Sequence, residues 1–247
     1  MYIRQALNTI WLYEYNHKML ITVLMFFIYL RTVKKGFIAT IGLLIVLLNY
    51  RAVPAQQSPQ KILFFGDSIT AGYGLNPDQA FPALIQQKID SLELNYTVVN
   101  AGLSGETSAG GLRRVDWVLQ QGVDIFVLEL GGNDGLRGLN LEQTKANLQG
   151  IIDKVEAKFP QALIVLAGME VPPNLGADYT LEFRQMYVEL AQQNDVLFIP
   201  FLLEGVGGVP KLNFDDQIHP NQKGHKKVAE HVWGYLVDAL TSNKTIK

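Results

Sequence analysis

The sequence predicts an α/β fold in which a five-stranded parallel sheet is covered by helices on both faces. Two observations support this prediction. From residue 61 onward, short apolar runs alternate with longer amphipathic stretches, and the runs are rich in Val, Ile, Leu and Phe. Alternation of strands and helices is typical of a parallel sheet, and continuous apolar runs are typical of strands that are buried on both faces.

The predicted elements follow in chain order. The strands are residues 61–65, 96–100, 124–130, 162–167 and 196–199. Apolar residues at helical spacing predict helices over residues 81–92, 112–121, 141–159, 179–193 and 222–240. Asn140 and Asp178 are the predicted N-caps of the third and fourth helices. No linker rich in Pro, Gly or Ser interrupts the alternation, which argues against the alternative of two small domains.

The composition excludes several classes of protein. The chain has 247 residues, of which 48% are hydrophobic and 10% are aromatic, and this excludes wholesale disorder. It contains no cysteine, which excludes a disulfide scaffold, a thiol nucleophile and a zinc site built on thiolates. The formal net charge of −2 argues against a nucleic-acid partner, since such proteins neutralise phosphates with Lys and Arg.

The first 55 residues differ from the rest, and we expect a leader at 1–55 in front of a globular domain at 56–247. The leader holds six of the 21 basic and one of the 23 acidic residues, which leaves a net charge of −7 on the domain. Basic residues at 31–35, an apolar run at 37–48 and small residues at 53–55 follow the order of a signal peptide. We therefore expect an exported protein, periplasmic or secreted. Residues 1–30 would then be an extension in front of the signal peptide, with Met19 or Met25 as the true start. The alternative is an uncleaved leader that anchors the chain to a membrane.

Polar and glycine-rich segments follow the predicted strands. Three of them are GDSIT at 66–70, AGLSG at 101–105 and GGND at 131–134, and a fourth, DDQIHPN at 215–221, precedes the last helix. In open parallel sheets, ligands bind at the carboxyl ends of the strands. The topology therefore predicts that these four segments meet at one edge of the sheet.

Ser68 and His219 are the candidates for nucleophilic chemistry. Ser68 follows the first strand directly, and a serine at such a turn can expose its hydroxyl group. It needs a base, and His219 lies in a loop three residues after Asp216, a spacing that can bring the carboxylate to the near side of the imidazole ring. Each residue alone also fits an ordinary turn or surface role. Ser104 is excluded as the nucleophile. Residues 102–105 match the start of a G-x-S-x-G motif, but the fifth position is Glu106 and not glycine.

Two further residues could bind the oxyanion of an acyl-transfer reaction. Gly105 lets its backbone N–H approach a ligand closely, and Asn133 carries a side-chain amide after two glycines. Taken alone, a glycine-rich turn and an Asx-type turn would explain the same residues.

Together the four segments resemble, in order, the four blocks of the SGNH (GDSL) hydrolases. The longer stretches at 100–112 and 131–138 resemble the bacterial branch that contains thioesterase I/lysophospholipase L1 and arylesterases. The resemblance covers about residues 60–240 and implies a three-layer α/β/α, flavodoxin-like fold. It implies Ser68 as nucleophile, His219 as general base and Asp216 as its orienting partner. It further implies an oxyanion hole formed by the backbone N–H groups of Ser68 and Gly105 and the side chain of Asn133, without a metal or other cofactor.

We expect a serine esterase that acts on small-molecule or lipid esters such as lysophospholipids, aryl esters and short-to-medium acyl esters or thioesters. The residues expected to bind substrate are Asp134, Gly135, Leu136, Arg137 and Leu139, and residues 171–175 are a further candidate for the wall of an acyl groove. We expect a monomer whose leader provides any membrane contact. The alternatives are a polysaccharide O-acetyl esterase, for which Tyr73 is the one candidate sugar platform, and a non-catalytic flavodoxin-like binding module.

Overall fold

The computed structural model describes residues 19–26, 29 and 58–241. Residues 19–26 and 29 are helical, and the chain divides into one unit that ends at Gln57 and a second that begins at Ser58. No helix among the described residues is long and apolar enough to cross a membrane. The predicted signal sequence at 31–55 lies outside the described residues, so the leader stays a prediction.

The second unit contains the predicted five-stranded sheet. Its strands are β1 Gln60–Gly66, β2 Tyr96–Asn100, β3 Ile125–Glu129, β4 Leu163–Ala167 and β5 Leu197–Ile199. All neighbouring strands are parallel, and their order in the sheet is β2-β1-β3-β4-β5. The fold class predicted from the sequence is thus confirmed.

Helices connect the strands. Two short helices follow strand ends, α1 Ser68–Ala71 and α4 Gly132–Leu136. The longer ones are α2 Phe81–Ser91, α3 Ser108–Val118, α5 Leu141–Lys158, α6 Ala177–Asn194 and α7 Gln222–Thr241. Helix α2 packs against α7, while α5 packs between α3 and α6. The core of the unit lies between these helices and the sheet, and every residue of β3 is buried.

The helix ends lie within two residues of the predicted ones, except in α3, which runs from Ser108 to Val118 instead of from 112 to 121. The Asn140 side chain accepts the N–H of Gln143 and caps α5, as predicted. Asp178 is not the N-cap of α6: Gly176 holds that position, and Asp178 lies in the first turn, where a carboxylate interacts favourably with the helix dipole. Helix α3 begins at Ser108, four residues before the predicted start, because the Thr107 hydroxyl caps it by accepting the N–H of Gly110.

Candidate active site

Ser68 is placed by the tight turn at the end of β1. Asp67 follows the strand, and its Oδ1 atom accepts the N–H of Ile69 at 2.9 Å, which caps the short helix α1. Ser68 is the first residue of that helix and is 7% exposed. Its hydroxyl group therefore lies at the carboxyl edge of the sheet, on a turn held by the residue before it.

His219 and Asp216 meet Ser68 from the loop before α7. The Nε2 atom of His219 lies 2.9 Å from Oγ of Ser68, and its Nδ1 atom lies 2.7 Å from Oδ2 of Asp216. The loop is closed on itself, because Phe214 donates its N–H to the carbonyl of His219 and Asn213 pairs with Pro220. The structure thus brings together the three residues that sequence reasoning singled out, in the order Ser–His–Asp.

Asp216 is held as a carboxylate. Burial raises the pKa of Asp216, but hydrogen bonds from the backbone N–H and ring of His219 and from the N–H of Ile218 outweigh it and keep that pKa below its ordinary value. Both backbone N–H groups donate to Oδ1 at 3.0 Å, so Oδ2 is left for the imidazole. A carboxylate in this position favours the tautomer with the proton on Nδ1, which frees Nε2 to accept a proton.

The two predicted oxyanion donors line the same cavity as Ser68. Gly105 has a φ of +78°, a backbone conformation that residues with a Cβ rarely adopt. Asn133 lies in α4, and its Nδ2 atom donates to Oδ2 of Asp67 at 2.9 Å. The guanidinium of Arg137 donates to the carbonyl of Gly105 at 3.2 Å and so links the loop of Gly105 to the end of α4.

The cavity beside Ser68 has a volume of about 740 Å³ and a largely apolar wall. The apolar side chains that line it are Ile69, Leu136, Met169, Val171, Pro172, Phe201, Leu203 and Ile218. Sequence reasoning singled out Leu136 and residues 171–175 but missed the loop after β5, although that loop also follows a strand end. A cavity of this size and character can hold an apolar chain next to the nucleophile.

Of the five residues predicted to bind substrate, only Leu136 lines the cavity. Asp134 is 2% exposed, and its carboxylate accepts the N–H of Ser108 at 2.8 Å and the hydroxyl of Ser108 at 2.6 Å. A Cβ at Gly135 would lie 2.4 Å from a methyl carbon of Val171, so this glycine permits close packing. Arg137 and Leu139 are exposed beyond α4 and do not belong to the cavity wall. Asp134 thus binds Ser108 by hydrogen bonds and Gly135 permits close packing, and neither residue faces the cavity.

A buried carboxyl pair beneath Ser68 was not predicted. Burial and the charge of Asp67 raise the pKa of Glu129 well above its ordinary value. Burial also raises the pKa of Asp67, to about 6, against the opposing hydrogen bonds from Ile69 and Asn133. Burial and the neighbouring charge of Asp67 thus favour the protonated form of Glu129. The signal of Glu129 in the sequence is that it is the one glutamate inside the apolar strand DIFVLEL at 124–130.

An ion pair beside the Gly105 loop was also missed. Glu106, the residue that breaks the G-x-S-x-G pattern, is buried and accepts Nε of Arg114 at 2.7 Å. The same guanidinium donates to the carbonyl of Ala101 at 2.8 Å and stacks over the ring of Phe65 at 4.1 Å. The loop that carries Gly105 is therefore tied to the sheet edge by charge-assisted hydrogen bonds.

Tyr73, the candidate sugar platform, stacks on His219. The centroids of the two rings lie 4.4 Å apart with an interplanar angle of 35°. One face of the tyrosine ring is thus taken by the imidazole. Within residues 58–241 the structure also contains no cluster of three side chains that could hold a metal ion, and the expectation of chemistry without a cofactor stays a prediction.

Comparison with known proteins places these features in context. The sequence model of the GDSL-like lipase/acylhydrolase family matches residues 64–227. Esterase TesA of Pseudomonas aeruginosa is 40% identical over 186 residues, which are 75% of this chain and 92% of TesA. Thioesterase 1/protease 1/lysophospholipase L1 of Escherichia coli is 39% identical over 189 residues, 76% of this chain and 86% of that protein. The crystal structure of psychrotrophic esterase EstA from a Pseudoalteromonas species, inhibited by monoethylphosphonate, is 30% identical with a TM-score of 0.70 and covers 74% of this chain and 100% of EstA. The range matched by the family contains all four polar segments.

Proposed function

This chain belongs to the GDSL-like lipase/acylhydrolase family, and from that premise we propose that it is a serine esterase that cleaves carboxylic esters and thioesters through an acyl-enzyme. The observation that supports the proposal is the chain of contacts from Ser68 Oγ to His219 Nε2 and from His219 Nδ1 to Asp216, at 2.9 Å and 2.7 Å, beside an apolar cavity. Membership in a hydrolase family argues against the alternative of a non-catalytic binding module.

Acylation begins at the Ser68 hydroxyl. Its Oγ atom attacks the carbonyl carbon of the ester while Nε2 of His219 takes the hydroxyl proton. The bond from the carbonyl carbon to the leaving group then breaks, and the imidazolium donates its proton to the leaving alcohol or thiol. Asp216 stabilises the imidazolium between these two events and remains ionised throughout.

Deacylation repeats the sequence with water. A water molecule gives a proton to Nε2 of His219 and attacks the acyl carbon. The bond to Oγ of Ser68 breaks, Oγ takes the proton from the imidazolium, and the carboxylic acid leaves. The developing negative charge on the carbonyl oxygen is stabilised in both steps by the backbone N–H groups of Ser68 and Gly105 and by the Asn133 amide.

The wall of the cavity indicates the substrate class. An apolar wall beside the nucleophile suits the acyl chain of a fatty ester, since burial of each methylene group contributes about 0.8 kcal/mol. Relatives carry the names esterase and thioesterase 1/lysophospholipase L1. We therefore infer that aryl esters, lysophospholipids and short-to-medium acyl esters or thioesters are substrates. The stacking of Tyr73 on His219 gives no support to a polysaccharide substrate.

The place of action is proposed from the leader. The order of basic, apolar and small residues within 31–55 favours export. An exported enzyme meets lysophospholipids and simple esters more often than cytosolic thioesters, so we propose lysophospholipids and simple esters as the natural substrates.

A substrate series tests the proposal. The purified chain is assayed against p-nitrophenyl esters of increasing acyl length, against lysophosphatidylcholine, against acyl-coenzyme A and against an acetylated polysaccharide. We expect turnover of the p-nitrophenyl esters with a preference for acyl chains longer than acetyl. Release of acetate from acetylated polysaccharide without turnover of longer esters would favour the O-acetyl esterase alternative, and no hydrolysis of any ester would contradict the proposal.

A further inference from the structure

Asp67 contacts both halves of the proposed active site. Its side chain is buried, with Oδ1 on the N–H of Ile69 and Oδ2 on the side-chain amide of Asn133, each at 2.9 Å. The first contact caps the helix that begins with Ser68. One carboxylate thus links the turn of the nucleophile to the amide that is proposed to bind the oxyanion.

This contact determines the orientation of the Asn133 amide. A carboxylate accepts hydrogen bonds and donates none, so it must face the nitrogen of the amide and not its oxygen. The nitrogen carries two hydrogens, and Asp67 accepts one of them. No acceptor for the other is found among residues 58–241, and Asn133 lines the cavity. The second N–H is therefore free for a ligand.

Glu129 holds Asp67 from the sheet side. Its Oε2 atom accepts the N–H of Asp67 at 3.1 Å and the hydroxyl of Thr70 at 2.7 Å. Its Oε1 atom is buried without a hydrogen-bond partner in the described part of the chain, which is a costly arrangement. A Cβ at Gly66 would lie 2.4 Å from Oε2, so the turn is shaped to admit this carboxyl group. A buried group retained at such a cost points to a function.

We propose that Asp67, held by Glu129, is a positioning residue that fixes the Asn133 amide so that its free N–H faces the oxyanion. The inference rests on the proposed function, because it needs Asn133 to bind the transition state. It makes a distinct claim: Asp67 acts on the reaction through Asn133 and not through the helix cap.

The substitution Asp67→Asn separates the two contacts. Asparagine has nearly the same shape as aspartate and is an equally good N-cap, so the bond to the N–H of Ile69 can be kept. With its oxygen on that N–H, its NH2 group faces the NH2 group of Asn133. Two donors repel each other, so the Asn133 amide turns over and presents its oxygen to the developing oxyanion. We expect kcat to fall about 100-fold, as on loss of one oxyanion donor, with KM changed less than about threefold, because the contact is made in the transition state.

A double-mutant cycle tests the claim. The kcat and KM for a p-nitrophenyl ester are measured for the wild type, Asp67→Asn, Asn133→Ala and the double variant. We expect Asp67→Asn to change kcat less than about threefold when Asn133 is already alanine, because residues that act as one unit are not additive. Asp116→Asn is the matched control, since this exposed aspartate pairs with Lys154 at the surface and does not line the cavity, and its kcat should equal that of the wild type.

The outcomes separate this inference from the proposed function. If Asn133→Ala lowers kcat but Asp67→Asn costs the same factor in both backgrounds, the positioning role is overturned and the esterase proposal stands. Wild-type kcat in Asp67→Asn overturns it as well. If Asn133→Ala leaves kcat unchanged, both the oxyanion role of Asn133 and this inference fail.

A second measurement tests the contact between Asp67 and Asn133 in the wild type, without a variant of Asp67. The two side-chain N–H resonances of Asn133 are assigned by their loss in Asn133→Ala, and their exchange with solvent is measured in the folded wild type. We expect one proton, bonded to buried Asp67, to exchange more slowly than the other. Equally fast exchange of both protons would contradict the proposed contact.

Discussion

His219 Nε2 lies 2.9 Å from Ser68 Oγ, although 151 positions of sequence separate the two residues. The topology explains how they meet. Ser68 follows β1, an interior strand of the sheet, and His219 lies in the loop before α7, which packs against α2, the helix that contacts the neighbouring strand β2. The contact thus depends on the whole sheet and on the last helix, while the contact between His219 and Asp216 is local to one loop.

Asp216→Asn tests the role of that local contact. The oxygen of the asparagine stays on the two backbone N–H groups, so its NH2 group faces Nδ1 of His219. Nδ1 must then accept a hydrogen bond, so the ring proton lies on Nε2, which can no longer accept the proton of Ser68. We expect kcat to fall about 10⁴-fold in assays with a p-nitrophenyl ester at pH 7. Asp215→Asn, in the exposed neighbouring residue, is the matched control and should retain activity. A loss of less than about tenfold in Asp216→Asn would argue against the assigned role.

The ring of Tyr73 is expected to stabilise the positive charge that develops on the His219 ring in the transition state of acylation. The two ring centroids lie 4.4 Å apart, and an aromatic face attracts a cation by about 0.5–1 kcal/mol at an exposed site. Tyr73→Leu should therefore lower kcat about two- to fivefold, while Tyr73→Phe should retain it. Equal rates for the two variants, measured with the same ester, would show that the stacking has no such effect.

Much of the candidate site could be predicted from the sequence. Ser68, Gly105, Asn133 and His219 all lie in segments that follow or face strand ends, and such segments are marked by glycine and polar residues against apolar strands. Asp216 could be found from its spacing to His219 alone. These signals are local, and the parallel topology then brings the segments together.

The residues that support the site could not be predicted in the same way. Asp134 lies in a polar segment like Asn133, yet the fold turns it towards Ser108 and away from the cavity. Glu106 and Arg114 pair across eight residues because helix α3 begins between them. Its N-cap, Thr107, was not predicted. The partners of a buried polar group depend on packing that sequence periodicity does not describe.

His225 makes the stability of the fold depend on pH. Burial lowers its pKa to about 4, and the nearby charge of His219 adds to the effect. The neutral ring accepts the N–H of Phe81 at the start of α2 through Nδ1 at 3.1 Å. The unfolded chain, with a His pKa near 6.5, binds a proton more readily, so this contribution is complete above about pH 6.5 and is lost as the pH falls towards 4.

Loss of the His225 contribution lowers the free energy of unfolding by about 3 kcal/mol between pH 6.5 and pH 4. His225→Gln keeps an acceptor for Phe81 but does not titrate, so the free energy of unfolding should fall less steeply between pH 6.5 and 4 than in the wild type. Urea unfolding at several pH values measures both slopes. His231→Gln is the control, because that histidine is only partly buried against the carbonyl of Phe201. Parallel curves for the wild type and His225→Gln would contradict the prediction.

The identity of the nucleophile is tested by labelling with a fluorophosphonate. The probe forms a stable bond to an activated serine, and mass spectrometry of the digested protein locates it. We expect label at Ser68 in the wild type and in Ser104→Ala, and neither label nor measurable ester hydrolysis in Ser68→Ala. Undiminished labelling and turnover in Ser68→Ala would show that the reaction does not pass through Ser68.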